Sequence, residues 1–219
     1  METELKLAIS AADVEAIEKL PLLQTYGNGE VEERRLVSTY YDTPAWILKQ
    51  EKTSLRIRDK GDGWVRTVKT AGNNEGGLHR REEFEVALSE PELDLEALQN
   101  LGLDVLNRAI ASQQLQPVFI TDFVRRQWLL HAPNGGPTVE FALDQGAVRR
   151  CDSGCNEAGE SSSDFELISE IELELRDSAE DADPEFLFRL ADEIKQAGIQ
   201  SQPSTLSKAA RGYALLQKA

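Results

Sequence analysis

The sequence is short of positive charge and of long apolar runs. Its 219 residues include 24 Lys and Arg against 39 Asp and Glu, a formal net charge of −15. This acidity argues against general nucleic-acid binding, which needs basic surface to displace counterions. No apolar run approaches the roughly 20 residues that a membrane span requires. No basic segment followed by an apolar run opens the chain, so we expect neither a membrane anchor nor a secretory leader.

Cysteine and histidine are scarce as well. Cys151 and Cys155 are too few for a disulfide framework and predict a reduced, cytoplasmic protein. The two histidines, His79 and His131, have no partner at a zinc-ligand spacing. The sequence therefore does not predict a zinc site.

In many segments of the sequence, polar or charged residues alternate with apolar ones. This period of two is typical of strands. It predicts strands at 2–9, 35–42, 53–58, 64–69, 81–88, 118–131, 137–144 and 167–176. Helices are expected at 11–20, at 92–114, from Asp183-Pro184 to Gly198, and at 205–217, with loops at 25–34, 70–79 and 151–165. About eight strands suit a small closed barrel. Because no repeat or linker divides the chain, we expect one domain over residues 1–219.

Six of these segments carry charged or polar side chains at alternate positions, and residues two apart in a strand point to the same face. The segments are Glu2-x-Glu4-x-Lys6, Arg56-x-Arg58, Thr67-x-Lys69, Arg81-x-Glu83-x-Glu85, Glu140-x-Ala142-x-Asp144 and Glu170-x-Glu172-x-Glu174. In most of them the intervening residues are apolar, so each strand has one ionic and one apolar face.

An antiparallel sheet with one solvated face would explain any single segment. Six together favour another interpretation, because glutamates in line along one strand face repel one another unless cations lie among them. Hard divalent cations prefer carboxylate oxygens, and arginine matches phosphate bidentately. We therefore expect a mainly antiparallel α+β fold, an eight-stranded closed barrel whose charged faces line the interior and whose apolar faces point outward under the helices.

In this order the motifs resemble the CYTH family, the triphosphate tunnel metalloenzymes, over residues 2–213. The matching segments are Glu2-x-Glu4-x-Lys6, Tyr40–Thr43, Leu55–Arg58, Thr67-x-Lys69, Arg81–Glu85, Leu143–Gly146, Glu170–Glu172 and Ser207-Lys208. The sequence is most similar to bacterial inorganic triphosphatases in four segments: GGLH (76–79), ALSEP (87–91), ALDQG (142–146) and LSKAARGY (206–213). Those relatives often continue into a C-terminal helical CHAD domain. Two alternatives stay open here: a longer protein that continues into such a domain, and a protein that consists of the CYTH domain alone.

The resemblance implies an antiparallel tunnel that binds triphosphate and two Mg²⁺ or Mn²⁺ ions. The implied carboxylate ligands are Glu2, Glu4, Glu170 and Glu172 for the metal that bridges the phosphates, and Asp144 with Glu172 or Glu174 for the second. The implied phosphate-binding residues are Lys6, Arg56, Arg58, Lys69, Arg125 and Lys208, with Lys6, Arg56, Arg58 and Glu172 as catalytic candidates. Arg81 and Arg211, and the acidic Glu83, Glu85 and Glu140, either join these residues or support them from behind.

Arg125 is preferred to Arg126 because it stands three residues before Trp128, as in the relatives; alternation alone does not choose between them. The sequence contains no motif for a covalent nucleophile and no phosphate-binding loop. The implied activity is hydrolysis of inorganic triphosphate to phosphate and diphosphate by metal-assisted attack of water. Two alternatives stay open: an enzyme of the same fold that acts on thiamine triphosphate or a nucleotide, and a polyphosphate-binding module without catalysis.

Overall fold

The computed structural model describes residues 1–151, 165–176 and 184–218. Its strands are β1 (Glu2–Ile9), β2 (Glu32–Asp42), β3 (Ser54–Asp59), β4 (Trp64–Lys69), β5 (Asn73–Glu75), β6 (Leu78–Arg81), β7 (Glu83–Leu88), β8 (Gln116–His131), β9 (Thr138–Arg150), β10 (Phe165–Leu175) and β11 (Ser201–Pro203). Its α-helices are α1 (Val14–Ile17), α2 (Leu22–Thr25), α3 (Ile47–Gln50), α4 (Leu95–Gln99), α5 (Asp104–Ala111), α6 (Glu185–Gln196) and α7 (Lys208–Gln217), with 3-10 turns at Ala11–Asp13 and Pro133–Gly135.

The strands form one curled, antiparallel sheet in the order β5-β6-β1-β10-β9-β8-β2-β3-β4-β7, with β11 also paired to β1. The hydrogen-bonded order is open, so the expected closed barrel of eight strands is not confirmed. Strand β7, at one end of the order, nevertheless follows β6, the second strand from the other end, after a single residue, Glu82. Side chains bridge the same gap, since Lys69 at the end of β4 pairs with Glu2 at the start of β1.

Alternation along the central strands places apolar side chains on the outer face, as expected. Leu5 and Leu7 of β1 lie in one buried cluster with Phe141 of β9 and Ile171 of β10. Helix α6 covers this cluster with Phe186, Leu187, Leu190 and Ile194, which recur at the spacing of one helical face. Burial of this apolar area from water is the main stabilising contribution that holds α6 on the sheet.

The concave face of the sheet is not charged throughout, which corrects the expectation of an ionic interior. Leu36 and Tyr40 of β2, Phe119 and Phe123 of β8, and Tyr213 of α7 form an apolar cluster at one end of it. Helix α7 packs closely there, because a Cβ placed on Gly212 would lie 2.3 Å from the Phe119 ring. The hydroxyl of Tyr213 also donates a 2.7 Å hydrogen bond to the buried carboxylate of Asp42.

Several elements differ from the sequence-based predictions. The helix expected over 92–114 is two helices, α4 and α5, separated at Gly102, whose φ of +69° does not continue a helix. The helix expected over 11–20 is reduced to a 3-10 turn and α1. The region 70–79, expected to be a loop, contains β5 and the first half of β6, which pair as a hairpin.

The prediction of a reduced cysteine is wrong at Cys151, which is disulfide-bonded. Cys155, Asp183 and most of the predicted 151–165 loop lie outside the described residues. Among the helices of the described ranges, none has both the length and the apolar character needed to cross a membrane. The cytoplasmic location and the single domain over residues 1–219 stay predictions.

Candidate active site

The curled sheet encloses a cavity of about 310 Å³ whose wall is mainly ionic. Its basic side chains are Lys6, Arg34, Arg56, Arg58, Lys60, Lys69, Arg81, Arg125, Arg176 and Lys208. Its acidic side chains are Glu2, Glu4, Glu32, Glu83, Glu85, Glu140, Glu172 and Glu174. Ten cations against eight carboxylates leave a formal excess of two positive charges, in a chain whose net charge is −15. The cavity is therefore a place where an anion is attracted into an otherwise acidic protein.

One group of charges lies where β1 faces β4 and β6. The guanidinium of Arg81 donates 2.8 Å hydrogen bonds to Glu2 and to Glu4, and Lys69 pairs with Glu2 and, at 3.2 Å, with Glu83. Burial opposes ionisation of Glu2, but the ion pairs with Lys69 and Arg81 outweigh it and lower its pKa to about 2. Glu2 is thus a carboxylate held ionised by two cations.

Glu174 of β10 completes this group with the opposite behaviour. Its burial, reinforced by the neighbouring charge of Glu2, raises its pKa to about 8. Carboxylate oxygens of Glu2, Glu83 and Glu174 lie within 4.8 Å of one another. Three clustered carboxylates, one of which resists ionisation, form a site where an added positive charge would be stabilising.

A second group of charges joins β8, β9, β10 and α7. Arg125 donates two 2.7 Å hydrogen bonds to Asp144 and also pairs with Glu172. Lys208, at the start of α7, lies 2.6 Å from Asp144, 2.5 Å from Glu170 and 2.9 Å from Glu172.

These ion pairs set the protonation of the second group. Burial opposes ionisation of Glu172, but Lys208, Lys6 and Arg125 lower its pKa well below the ordinary value. The oxygens of Asp144, Glu170 and Glu172 again lie within 4.8 Å of one another. The structure therefore brings two separate carboxylate clusters to the cavity region.

Arg56 and Arg58 on β3 differ from Lys6 and Lys208, the other buried cations of the cavity wall, because their carboxylate contacts are weak or absent. Arg56 is 3.9 Å from Glu83 and 4.0 Å from Glu85, and its buried Nε has no hydrogen-bond partner among the described residues. Arg58 donates a 2.9 Å hydrogen bond to the hydroxyl of Ser38. Burial and the neighbouring charges of Arg56 and Arg125 lower the pKa of Arg58 to about 9. These two guanidinium groups can donate hydrogen bonds to an anion in the cavity.

Most of the predicted site residues line the cavity, but Asp144, Glu170 and Arg211 do not. Asp144 and Glu170 are buried next to Glu172, which does line it. Arg125 faces it, whereas Arg126 points outward to Glu18 and Glu33. Arg211 lies behind the wall, where it holds Glu166 at 2.9 Å and Glu170 at 3.2 Å. Glu4 belongs to neither carboxylate cluster.

Sequence reasoning missed some lining residues that alternation contains. Arg176 follows Glu174 by two positions, one residue beyond the end of β10, and Arg34 and Tyr40 share the concave face of β2. Extending the same period by one step from Glu174 would have found Arg176. The same step leads from Arg58 to Lys60, one residue beyond the end of β3, and from Arg34 to Glu32, the first residue of β2.

Comparison with known proteins agrees with this geometry. Residues 1–213 match the CYTH domain family, and the chain belongs to it. It is 36% identical over 218 residues to the inorganic triphosphatase of Haemophilus influenzae, an alignment that covers 99% of this chain and 55% of that protein. The chain thus spans about half the length of the curated relative. The predicted CHAD domain gains no support, because residues 1–213 match the CYTH domain.

Solved structures share the fold. A Hippeastrum protein, described as a candidate adenylyl cyclase with a dominant triphosphatase activity, matches with a TM-score of 0.60 at 20% identity, over 98% of this chain and 96% of its own. The PH1819 protein of Pyrococcus horikoshii matches over the full length of both chains with a TM-score of 0.59 at 21% identity. At these identities the likeness concerns the fold.

Proposed function

We propose that this protein hydrolyses inorganic triphosphate to phosphate and diphosphate, in a reaction that depends on Mg²⁺ or Mn²⁺ and in which water is the nucleophile. The observation that carries the proposal is the cavity itself, where Arg56 and Arg58 stand without close carboxylates beside two carboxylate clusters. Membership of the CYTH family and 36% identity to an inorganic triphosphatase support the same activity.

The carboxylate clusters fit a hard divalent cation, because their donors are all oxygens and each cluster brings three within 4.8 Å. Asp144, Glu170 and Glu172 would hold one ion, and Glu2, Glu83 and Glu174 the other. Bound Mg²⁺ or Mn²⁺ supplies Lewis-acid chemistry, which neutralises phosphate oxygens and lowers the pKa of water. We also propose that Glu4, Glu85 and Glu140, which line the cavity, act as further acidic groups of this site.

The cations of the wall bind and orient the substrate. Arg56 and Arg58 point donors into the cavity from β3, and Lys6, Lys69 and Arg81 line it from β1, β4 and β6. Held between these donors, triphosphate would keep one geometry while negative charge builds on the departing diphosphate, which fixed cations stabilise without reorganisation. Arg125 and Lys208 would stabilise the same negative charge of the diphosphate from the opposite wall. They also keep Asp144 and Glu172 ionised.

Inorganic triphosphate suits the cavity better than an organic triphosphate does. The apolar members of its wall are Leu36, Tyr40 and Ala209, against eighteen charged ones. A thiazolium or nucleoside group would gain little apolar contact there, and binding sites for such groups are usually lined by apolar and aromatic side chains.

A substrate panel tests the proposal. Purified protein is given inorganic triphosphate, thiamine triphosphate or ATP, each with Mg²⁺ or Mn²⁺, and phosphate release is measured over pH 7–10. We expect inorganic triphosphate to be the best substrate. Absence of release from every substrate with both metals would refute the proposed activity, and preference for an organic triphosphate would refute the assignment of the substrate.

A further inference from the structure

A second cavity, of about 360 Å³, lies beside the first and has a different wall. It opens between the outer side of α7, the segment from Lys49 to Ser54, and the β5–β6 hairpin. Ser54, Arg81, Ser207 and Ala209 line both cavities, so the first turn of α7 separates them. Nothing in the proposed hydrolysis of triphosphate uses this second space.

The charge of the second cavity is of one sign. Lys49, Lys52, Arg80 and Arg81 line it, and none of the described residues in its wall carries a carboxylate. Arg81 is committed to Glu2 and Glu4, but Lys49, Lys52 and Arg80 have no ion pair with any other described residue. Three uncompensated cations around one cavity are unexpected in a chain with a net charge of −15, and they favour an anionic occupant.

The other part of the wall is apolar. Ala209, Ala210, Tyr213 and Ala214 lie on one side of α7 and face this cavity. Tyr213 is fixed by its hydrogen bond to Asp42, and the ammonium of Lys49 lies 5.4 Å from the Tyr213 ring and 3.9 Å from the Trp46 ring. A charged group and an apolar surface are thus held side by side, in a volume within the range of small-molecule sites.

We propose that this second cavity is a binding site for a small organic phosphate, a phosphate monoester whose phosphate contacts Lys49 and Lys52 and whose organic group packs on the alanine and tyrosine face of α7. An inorganic phosphate would contact the cations but not the apolar wall, which would stay exposed to solvent. The site is separate from the carboxylate clusters, so its occupation does not require a divalent metal.

Phenyl phosphate is a suitable probe, titrated into the folded protein in the presence of EDTA while backbone amide shifts are followed by NMR. Thr53, Asn73, Ala210 and Ala214 line the second cavity and not the first, so their amides report its occupation. We expect these amides to shift in a saturable way. Phenyl phosphate should bind about tenfold more tightly than inorganic phosphate, since partial burial of a phenyl ring contributes on this order.

The variant K49Q/K52Q removes the cations, and K19Q/K195Q makes the same charge change at exposed lysines elsewhere. Binding should weaken at least about tenfold in K49Q/K52Q and stay unchanged in K19Q/K195Q. Ala214→Glu, which adds a carboxylate to the apolar wall, should also abolish the shifts. Three results would each overturn the proposal: no shift at the second cavity, equal affinity in the two double variants, or equal affinity for phenyl phosphate and inorganic phosphate.

Discussion

Replacement of Arg58 by methionine should stabilise the protein while it removes a substrate-binding group. Burial and the charges of Arg56 and Arg125 lower the pKa of Arg58 from its ordinary value to about 9. At about 1.4 kcal/mol for each pH unit, this change corresponds to roughly 5 kcal/mol of unfavourable interaction in the folded state. The charge is therefore retained at a cost to stability, as is common for groups that bind ligands.

Part of that gain is offset by contacts that the variant loses. The 2.9 Å hydrogen bond to Ser38 contributes about 1 kcal/mol, and the approach of the guanidinium to within 5.6 Å of the Phe123 ring contributes about as much again. After these losses we expect a net stabilisation of about 3 kcal/mol in R58M. For a chain of this size, that raises the midpoint of thermal unfolding by roughly 6–12 °C.

Arg125→Met is the matched comparison, because Arg125 lies in the same cavity wall and is mostly buried but contacts Asp144, Glu172 and Glu140. Breaking such pairs takes one cation from each of three buried carboxylates and should cost about 3–5 kcal/mol. Thermal unfolding followed by circular dichroism, with and without triphosphate, measures both variants. R58M should melt above the wild type without ligand and gain less from triphosphate. If R58M melts well below the wild type, as R125M should, the account of Arg58 as an uncompensated charge is wrong.

Two further changes test the ion pairs and the packing of α7. The pKa of Glu2 is lowered to about 2, so its contribution to stability is present above pH 4.5 and is lost as the pH falls toward 2. Glu2→Gln should therefore lower the free energy of unfolding by about 3 kcal/mol at neutral pH and by little near pH 2, as measured by urea titration; an equal loss at both pH values would contradict this. Gly212→Ala should destabilise by about 1–3 kcal/mol despite the better helix propensity of alanine, because its Cβ would meet the Phe119 ring at 2.3 Å; a more stable variant would show that α7 packs less closely.

Alternation predicted the parts of the site that come from regular strands. Glu2, Glu4 and Lys6 share one face of β1, and Glu170, Glu172 and Glu174 share one face of β10, so a period of two was sufficient to place them together. The register then sets which of them meet, since Lys6 lies opposite Glu172 and Glu4 opposite Glu174. Register depends on pairing between strands far apart in the chain, which one sequence does not reveal.

The remaining differences have local physical causes. On the concave faces of β2 and β8, the side chains are charged at one end and become apolar at Leu36 and Phe123, although the period of two continues. The reason is that α7 packs into that end of the sheet. Whether a period-two face meets solvent or a helix depends on tertiary contacts. The first carboxylate cluster was also not foreseen, because Glu83 joins Glu2 and Glu174 only where β7 follows β6 across Glu82 at the two ends of the sheet.

The most direct test of the central claim follows inorganic triphosphate by ³¹P NMR, with wild type and Asp144→Asn compared in the presence of Mg²⁺. Asp144 is fully buried and belongs to the carboxylate cluster proposed to hold a metal, and asparagine keeps its shape without its charge. We predict equimolar phosphate and diphosphate from the wild type, no products after EDTA is added, and a rate about 100-fold lower in the variant, equivalent to about 2.7 kcal/mol. Hydrolysis by the wild type that persists in EDTA, or equal rates in the two proteins, would contradict the account.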